Sequence, residues 1–160
     1  MKKLPATRPW NRIDHAVYSV SSVSNGRHNM NICTYVTPVS LKPKLYLVAF
    51  YKNTLTEKLV KEQNEFVLQF LSIRHIKLIP LLGRKSGFDI DKLKYIQPQI
   101  SYRQFILLPD LLAFVHLKVI QWTNGGDHDC AVCEVVQFKN IRTGKALTTG
   151  VLRKKKVIRA

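Results

Sequence analysis

Two long strand-like segments, Leu111 to Trp122 and His128 to Phe138, constrain this 160-residue sequence more than any other feature. Both are rich in Val, Leu and aromatic residues, which suit a pleated, half-buried surface. The turn Gly125-Gly126-Asp127 lies between them and supplies the backbone freedom that a tight reversal needs. A hairpin this long cannot stand alone, so further strands must share its sheet. The rest of the chain supplies candidates. His15 to Val23 alternates, Asn25-Gly26 signals a hairpin turn, and its partner strand runs from about His28 to Val36. Lys44 to Tyr51 is a nearly continuous apolar run, as expected of a strand covered on both faces. Phe66 to Leu71, Tyr102 to Leu108 and Ala146 to Val151 read as further strands, while Pro38 and Pro43 keep their connection out of any central sheet position.

Helical signals are short. Thr54 and Glu57 have capping-box spacing ahead of a helix that ends at Gln63, with Leu55, Leu59 and Val60 on one face and Asn64 as the stop. Ser72 can cap a second helix, Ile73 to Leu82, which Pro80 should shorten or kink and Gly83 should end. A helical turn is expected between Asp89 and Tyr95. The expected fold is mainly β: an antiparallel barrel, closed or half-closed, with two or three short helices on its rim.

One domain fits this length, spanning residues 12–152 between an N-terminal arm, 1–11, broken by Pro5 and Pro9, and a basic tail, 153–160. With 46% hydrophobic residues the chain can fill a core, so disorder is not favoured. No apolar run approaches the roughly 18 residues needed to span a bilayer. Leu4 to Asp14 lacks the apolar region of a signal peptide despite the Met1-Lys2-Lys3 start. Three cysteines, an odd number, argue for a reducing compartment, and the cytoplasm is the expected location. Cys130 and Cys133 have C-x-x-C spacing, but three residues apart on a strand they point to opposite faces, and no second pair exists to complete a zinc site.

A formal charge of +16 raises the reading of a basic β-barrel that binds nucleic acid. The basic residues are spread along the chain, however, and the one dense run, Arg153-Lys154-Lys155-Lys156, reads as a solvated tail. Tyr35, Tyr46, Phe50 and Tyr51 stand beside few basic residues, so no stacking face for single strands is evident. A basic field would equally attract phosphates and dinucleotides.

Anion chemistry is better placed elsewhere. Lys52-Asn53-Thr54-Leu55-Thr56 joins an apolar strand to a capped helix start, where backbone N–H groups, a positive dipole end and hydroxyls can seat a phosphate. The hydroxyl-bearing segment Asn31-Ile32-Cys33-Thr34-Tyr35-Val36-Thr37-Pro38-Val39-Ser40 precedes it. Gly83-Arg84-Lys85-Ser86-Gly87, with Asp91-Lys92 following, and Gly125-Gly126-Asp127-His128 come after. Taken in order from about Val20 to Val136, these segments resemble the flavin reductase-like, FMN-binding split-barrel family.

The resemblance implies a six-stranded antiparallel split barrel that pairs as a homodimer. It implies an FMN cofactor, with FAD as the alternative, and NADH or NADPH as electron donor. Asn31, Ile32, Cys33, Thr34, Tyr35 and Thr37 would lie along the isoalloxazine ring. Lys52, Asn53, Thr54 and Thr56 would hold the phosphate, with Lys52 a departure from the Arg or Ser common in the family. Arg84, Ser86, Gly87 and Lys92 would lie near the flavin or the partner subunit. His128 is the candidate catalytic residue, close to the reactive face and the nicotinamide. Two functions follow from the resemblance. One is an FMN-binding oxidoreductase that passes electrons from NAD(P)H through flavin to an acceptor, a redox partner protein among them. The other is a flavoredoxin-like carrier without nicotinamide turnover. His15, His28, His75 and His116 lack comparable context, and no His/Cys/Asp/Glu spacing suggests a metal.

Overall fold

Strands β1 (Tyr18–Ser24) and β2 (Arg27–Cys33) open the sheet of the computed structural model, which describes residues 8–159. Asn25 and Gly26, with φ of 48° and 74°, turn the chain between them as a primed hairpin requires. Then come β3 (Val36–Ser40), β4 (Leu45–Tyr51), α1 (Leu55–Gln63), β5 (Glu65–Phe70) and α2 (Ile79–Arg84). The chain continues through β6 (Ile100–Tyr102), β7 (Phe105–Leu107), β8 (Ala113–Asn124), β9 (His128–Asn140) and α3 (Thr149–Lys154). Seven strands form one antiparallel sheet in the order β2-β1-β5-β8-β9-β4-β3, while β6 and β7 make a separate hairpin.

The ends of this order, β2 and β3, are consecutive in the chain and joined only by Thr34 and Tyr35. Laid flat, six inter-strand gaps of about 4.8 Å would hold those edges about 29 Å apart. Three Cα steps from Cys33 to Val36 reach about 11 Å. The sheet therefore curls until its edges approach, leaving a split where they meet. Register shifts in the β8–β9 pair at His116/Leu117 and Val119/Gln121 add the local bend that such curling needs.

Both faces of the curled sheet are filled. On β5, Phe66 and Leu68 enter one apolar cluster with Val48, Phe50 and Leu117, while Val67 enters another with Met30, Leu82 and Phe105. Period-2 alternation thus feeds two cores, and β5 reads as continuously apolar for that reason.

Several sequence expectations change. The strand expected from His28 to Val36 ends at Cys33, and the Pro38-bearing connection beyond it forms the edge strand β3. Tyr102 to Leu108 is a two-stranded hairpin, reversing at Arg103 (φ 51°). The main sheet therefore has seven strands rather than six. Lys44 to Tyr51 is not covered on both faces, since Tyr51 is 58% exposed. Ile73 to Leu82 is a 3-10 segment (Ile73–Leu78) followed by α2. There Pro80 sits in the first turn, where its missing N–H costs no bond, and Gly83 lies inside the helix. Ala146 to Val151 is not a strand. Ala16 bridges to Thr148, and the Thr148 hydroxyl then caps α3 by accepting from the Val151 N–H at 3.4 Å. Arg153 and Lys154 belong to α3, and Val157 and Ile158 pack against the core. Of the proposed N-terminal arm, residues 1–7 lie outside the described residues, and Pro9–Arg12 form a 3-10 turn. No helix among the described residues is long and apolar enough to cross a membrane.

Candidate functional site

The split exposes a cavity of about 280 Å³ at the junction of the β2–β3 link, the end of β4, the start of α1 and the start of β9. Of the residues expected from sequence, Asn31, Ile32, Cys33, Thr34, Tyr35, Thr54, Thr56 and His128 line it, and Val20, Ala49, Phe50 and Tyr51 complete the wall. No carboxylate is among them, so an anionic ligand meets no like charge in the lining.

His128 reaches the cavity because β9 pairs with β4 in the register Tyr51↔His128. Its ring lies 5.1 Å from those of both Tyr35 and Tyr51, and its Nδ1 is 2.7 Å from Asp127 Oδ1. Tyr35 and Tyr51 are more than half exposed, which leaves an aromatic rim at the mouth. Cys33 is buried, its Sγ 3.6 Å from the Ala49 carbonyl, and burial pushes its thiol up to about 12. It therefore presents an unreactive thiol wall.

The helix start is built as its sequence indicates. Thr54 Oγ1 accepts from the Glu57 N–H at 3.3 Å and donates to the Tyr51 carbonyl at 2.9 Å, while Glu57 Oε2 accepts from the Asn53 N–H at 2.8 Å. Asn53 takes a positive φ of 61° to make this turn. The N–H groups of Leu55 and Thr56, in the first turn of α1, have no intrahelical acceptor. Thr56 is buried, and its Oγ1 accepts from Asn29 Nδ2 at 2.8 Å, which leaves its own proton to donate.

Other expected residues lie outside the lining. The Lys52 ammonium is 2.8 Å from Asn124 Oδ1 and 2.6 Å from the Gly126 carbonyl, and it pairs with Asp129 at 3.5 Å. It belongs to the β8–β9 turn that carries His128. Lys61 bridges Glu57 (2.7 Å) and Asp129 (2.5 Å), and this bond holds the Asp129 carboxyl below its ordinary range. Thr37 is exposed on β3. The Arg84 guanidinium donates to the Val157 carbonyl, and Ser86 Oγ accepts from the Phe88 N–H at 3.1 Å. Gly87 abuts the Asn29 side chain, and Lys92 is buried against Asn31.

Asn29 is the functional-site residue that sequence reading passed over. The signal was present: period-2 alternation puts Asn29 on the face of Asn31 and Cys33. Among the described residues, no group of three or more His, Cys, Asp or Glu side chains gathers as a metal site.

A family model described as flavin reductase like domain matches residues 10–154. The chain belongs to this family. Among relatives, the ferric-chelate reductase (NAD(P)H) of Archaeoglobus fulgidus is 24% identical over 139 residues, covering 86% of this chain and 82% of that protein. An FMN-binding protein from Thermus thermophilus, solved with 1-cyclohex-2-enone bound, has a TM-score of 0.75 at 23% identity, covering 88% of this chain and 80% of that one. Flavoredoxin from Methanosarcina acetivorans has a TM-score of 0.73 at 15% identity, covering 88% and 75%. At these identities the structural likenesses show a shared barrel-like fold alone, and what the site does rests on its own side chains.

Proposed function

We propose that this protein is an FMN-dependent oxidoreductase of the flavin reductase-like family, taking electrons from NADH or NADPH and passing them to an acceptor. The observation that carries this reading is the convergence at the split. Aromatic rings, an unreactive apolar wall and the start of α1 meet in one cavity with no carboxylate in its lining. The donor set fits FMN. The N–H groups of Leu55 and Thr56 and the hydroxyl of Thr56 suit the phosphate, with the dipole of α1 adding to them. The wall from Asn31 to Tyr35 suits a flat heteroaromatic ring. FAD would use the same seat with its adenylate outside.

Bound FMN supplies the two-electron chemistry, and the protein supplies placement, electrostatics and water exclusion. Val20, Cys33 and Phe50 keep one side of the cavity apolar, and Asn31 offers its amide to a ring acceptor. His128, braced by Asp127, Tyr35 and Tyr51, orients the nicotinamide at the mouth. The net charge of +16 draws anionic dinucleotides and phosphates toward the site.

A volume of about 280 Å³ falls just below the range of small-molecule sites, which begins at about 300 Å³. This favours a second reading, a flavoredoxin-like carrier, unless a second copy of the chain widens the site. A homodimer has a surface to use: Phe138 is 66% exposed beside an apolar depression of about 720 Å³ bordered by Tyr46, Phe70, Phe114 and Val135. We place the protein in the cytoplasm, in keeping with its free cysteines.

The deciding experiment is absorbance and FMN titration of the purified protein, followed by stopped-flow mixing with NADH and with NADPH. Tight FMN binding with rapid bleaching is the expected result. Binding with slow bleaching selects the carrier, and absence of affinity for both FMN and FAD removes the flavin reading.

A further inference from the structure

Lys92 is a buried cation without an anion among the described residues. The residue is 1% exposed, and its ammonium donates to the Met30 carbonyl (3.2 Å), the Leu82 carbonyl (3.0 Å) and Asn31 Oδ1. All three partners are neutral oxygens, and burial alone pulls the pKa down to about 8. Keeping an ammonium in such a place opposes folding, because desolvating a charge without a counter-charge is costly. Its position suggests what it does. β2 is an edge strand of the sheet, and Lys92 reaches that edge directly behind a wall residue of the cavity.

Asn31 faces both ways: its side chain meets Lys92, and the residue lines the cavity. An ammonium can only donate, so the carboxamide must turn its oxygen to Lys92. The amide NH2 is then the group left for the cavity, with its orientation fixed from behind.

We propose that Lys92 is a positioning residue for the flavin: it locks the Asn31 carboxamide as a hydrogen-bond donor toward the ring, and its charge behind the wall favours the reduced, more negative form of the cofactor. The inference rests on the flavin reading. It assigns Lys92 no contact with FMN, since Lys92 is not part of the cavity lining. Charge placed near the ring is one of the levers by which a protein tunes flavin electronics.

The test compares wild type, Lys92→Met, Lys92→Gln, Asn31→Ala and the Asn31→Ala/Lys92→Met double variant. For each, FMN affinity, the midpoint potential of bound FMN and the melting temperature are measured. Lys92→Met should weaken oxidised FMN about tenfold and reduced FMN about a hundredfold. That extra tenfold corresponds to a midpoint about 30 mV lower for a two-electron couple. Lys92→Gln retains a donor without the charge, so it should bind oxidised FMN within about threefold of wild type and still show the lower potential. In the Asn31→Ala background, Lys92→Met should cost no further affinity for oxidised FMN.

Unchanged affinity and potential in a Lys92 variant that melts like wild type would overturn the proposal. So would an affinity loss of equal size with and without Asn31. If Lys92→Met does not fold, the Lys92→Gln potential and the Asn31→Ala affinity decide. Failure of the wild type to bind any flavin removes the functional reading and this inference with it, whereas a binding wild type with indifferent variants overturns the inference alone.

Discussion

Gly87 packs so tightly against Asn29 that a Cβ on it would stand 2.7 Å from Asn29 Cγ and 2.9 Å from Nδ2. Asn29 in turn donates to Thr56 in the first turn of α1. The glycine-bearing loop after α2 therefore acts on the cavity at second hand, by bracing the residue that braces Thr56.

Gly87→Ala should displace Asn29 and break its bond to Thr56. The φ of Gly87 is not in the left-handed region, so the cost is steric, about 1–3 kcal/mol as for other overpacked sites. The melting temperature should fall, and FMN affinity should drop about tenfold through the loss of a fixed Thr56 donor. Calorimetry and FMN titration check both, and wild-type values on both would show that Asn29 can move freely.

At the phosphate seat, Thr54→Ala/Thr56→Ala should weaken FMN about ten- to a hundredfold while sparing riboflavin. The one hydroxyl bond lost to a charged group, that of Thr56, is worth about 1.5–3 kcal/mol, the Thr54 proton being held by the Tyr51 carbonyl. Lost capping costs about 1 kcal/mol of stability besides. Lys52→Ala should weaken both ligands alike, since its ammonium holds the β8–β9 turn. Selective loss of FMN in Lys52→Ala would bring that lysine to the phosphate in the bound state.

His128 stands at the mouth between two tyrosine rings. His128→Ala should leave FMN affinity within about threefold and slow flavin reduction by NAD(P)H on the order of ten- to a hundredfold, the scale of a lost positioning contact. Stopped-flow absorbance separates the two quantities. A large loss of FMN affinity would make His128 part of the flavin pocket instead.

Two histidines set an acid limit. His116 is fully buried between Glu65 and Tyr102, and burial lowers its pKa despite Glu65, while burial also lowers that of His28 despite Asp91. Both bind protons more readily when unfolded. Their contribution to stability is full above the unfolded value of about 6.5 and is lost as pH falls through the depressed folded values, about 1.4 kcal/mol for each unit of depression. Melting temperature should decline between pH 7 and 5, and less so in His116→Gln. Equal slopes in the two proteins would discount His116.

The thiols should react unequally. Burial pushes both Cys33 and Cys133 up to about 12, whereas Cys130 is only partly buried. A thiolate reagent at pH 8 should label Cys130 quickly and the other two only on unfolding. Mass mapping of the labelled peptides checks this, and fast labelling of Cys33 would mean that the cavity wall opens.

What the sequence made legible was local. Asn25-Gly26, the Thr54-Glu57 cap and the Gly125-Gly126 reversal each depend on residues a few positions apart, and each forms. The break at Thr34-Tyr35 depends on where the two sheet edges meet, which no local pattern records. Lys52 is read as a phosphate ligand from its neighbours in sequence, whereas the partners the structure gives it, Asn124 and Gly126, are distant in sequence. The error at Ala146 to Val151 was one of period, since a β-branched run beside one bridging residue also suits a capped helix. Seven of the expected site residues share the cavity because they come from two local segments, Asn31 to Tyr35 and the start of α1, whereas His128 arrives only through the β4–β9 register.

The split has a kinetic consequence. Its walls exist only once β4 has paired with β9, Leu45 with Glu134 and Tyr51 with His128, across about half the chain. Contacts of such long sequence separation pay their loop-closure entropy before they gain anything, and β-rich topologies of this kind fold slowly, in about milliseconds to seconds. The hairpins β1–β2 and β8–β9 need no such closure. On refolding, native-like strand signal should therefore precede any capacity to quench flavin fluorescence, and the cofactor site is among the last parts of the molecule to be born.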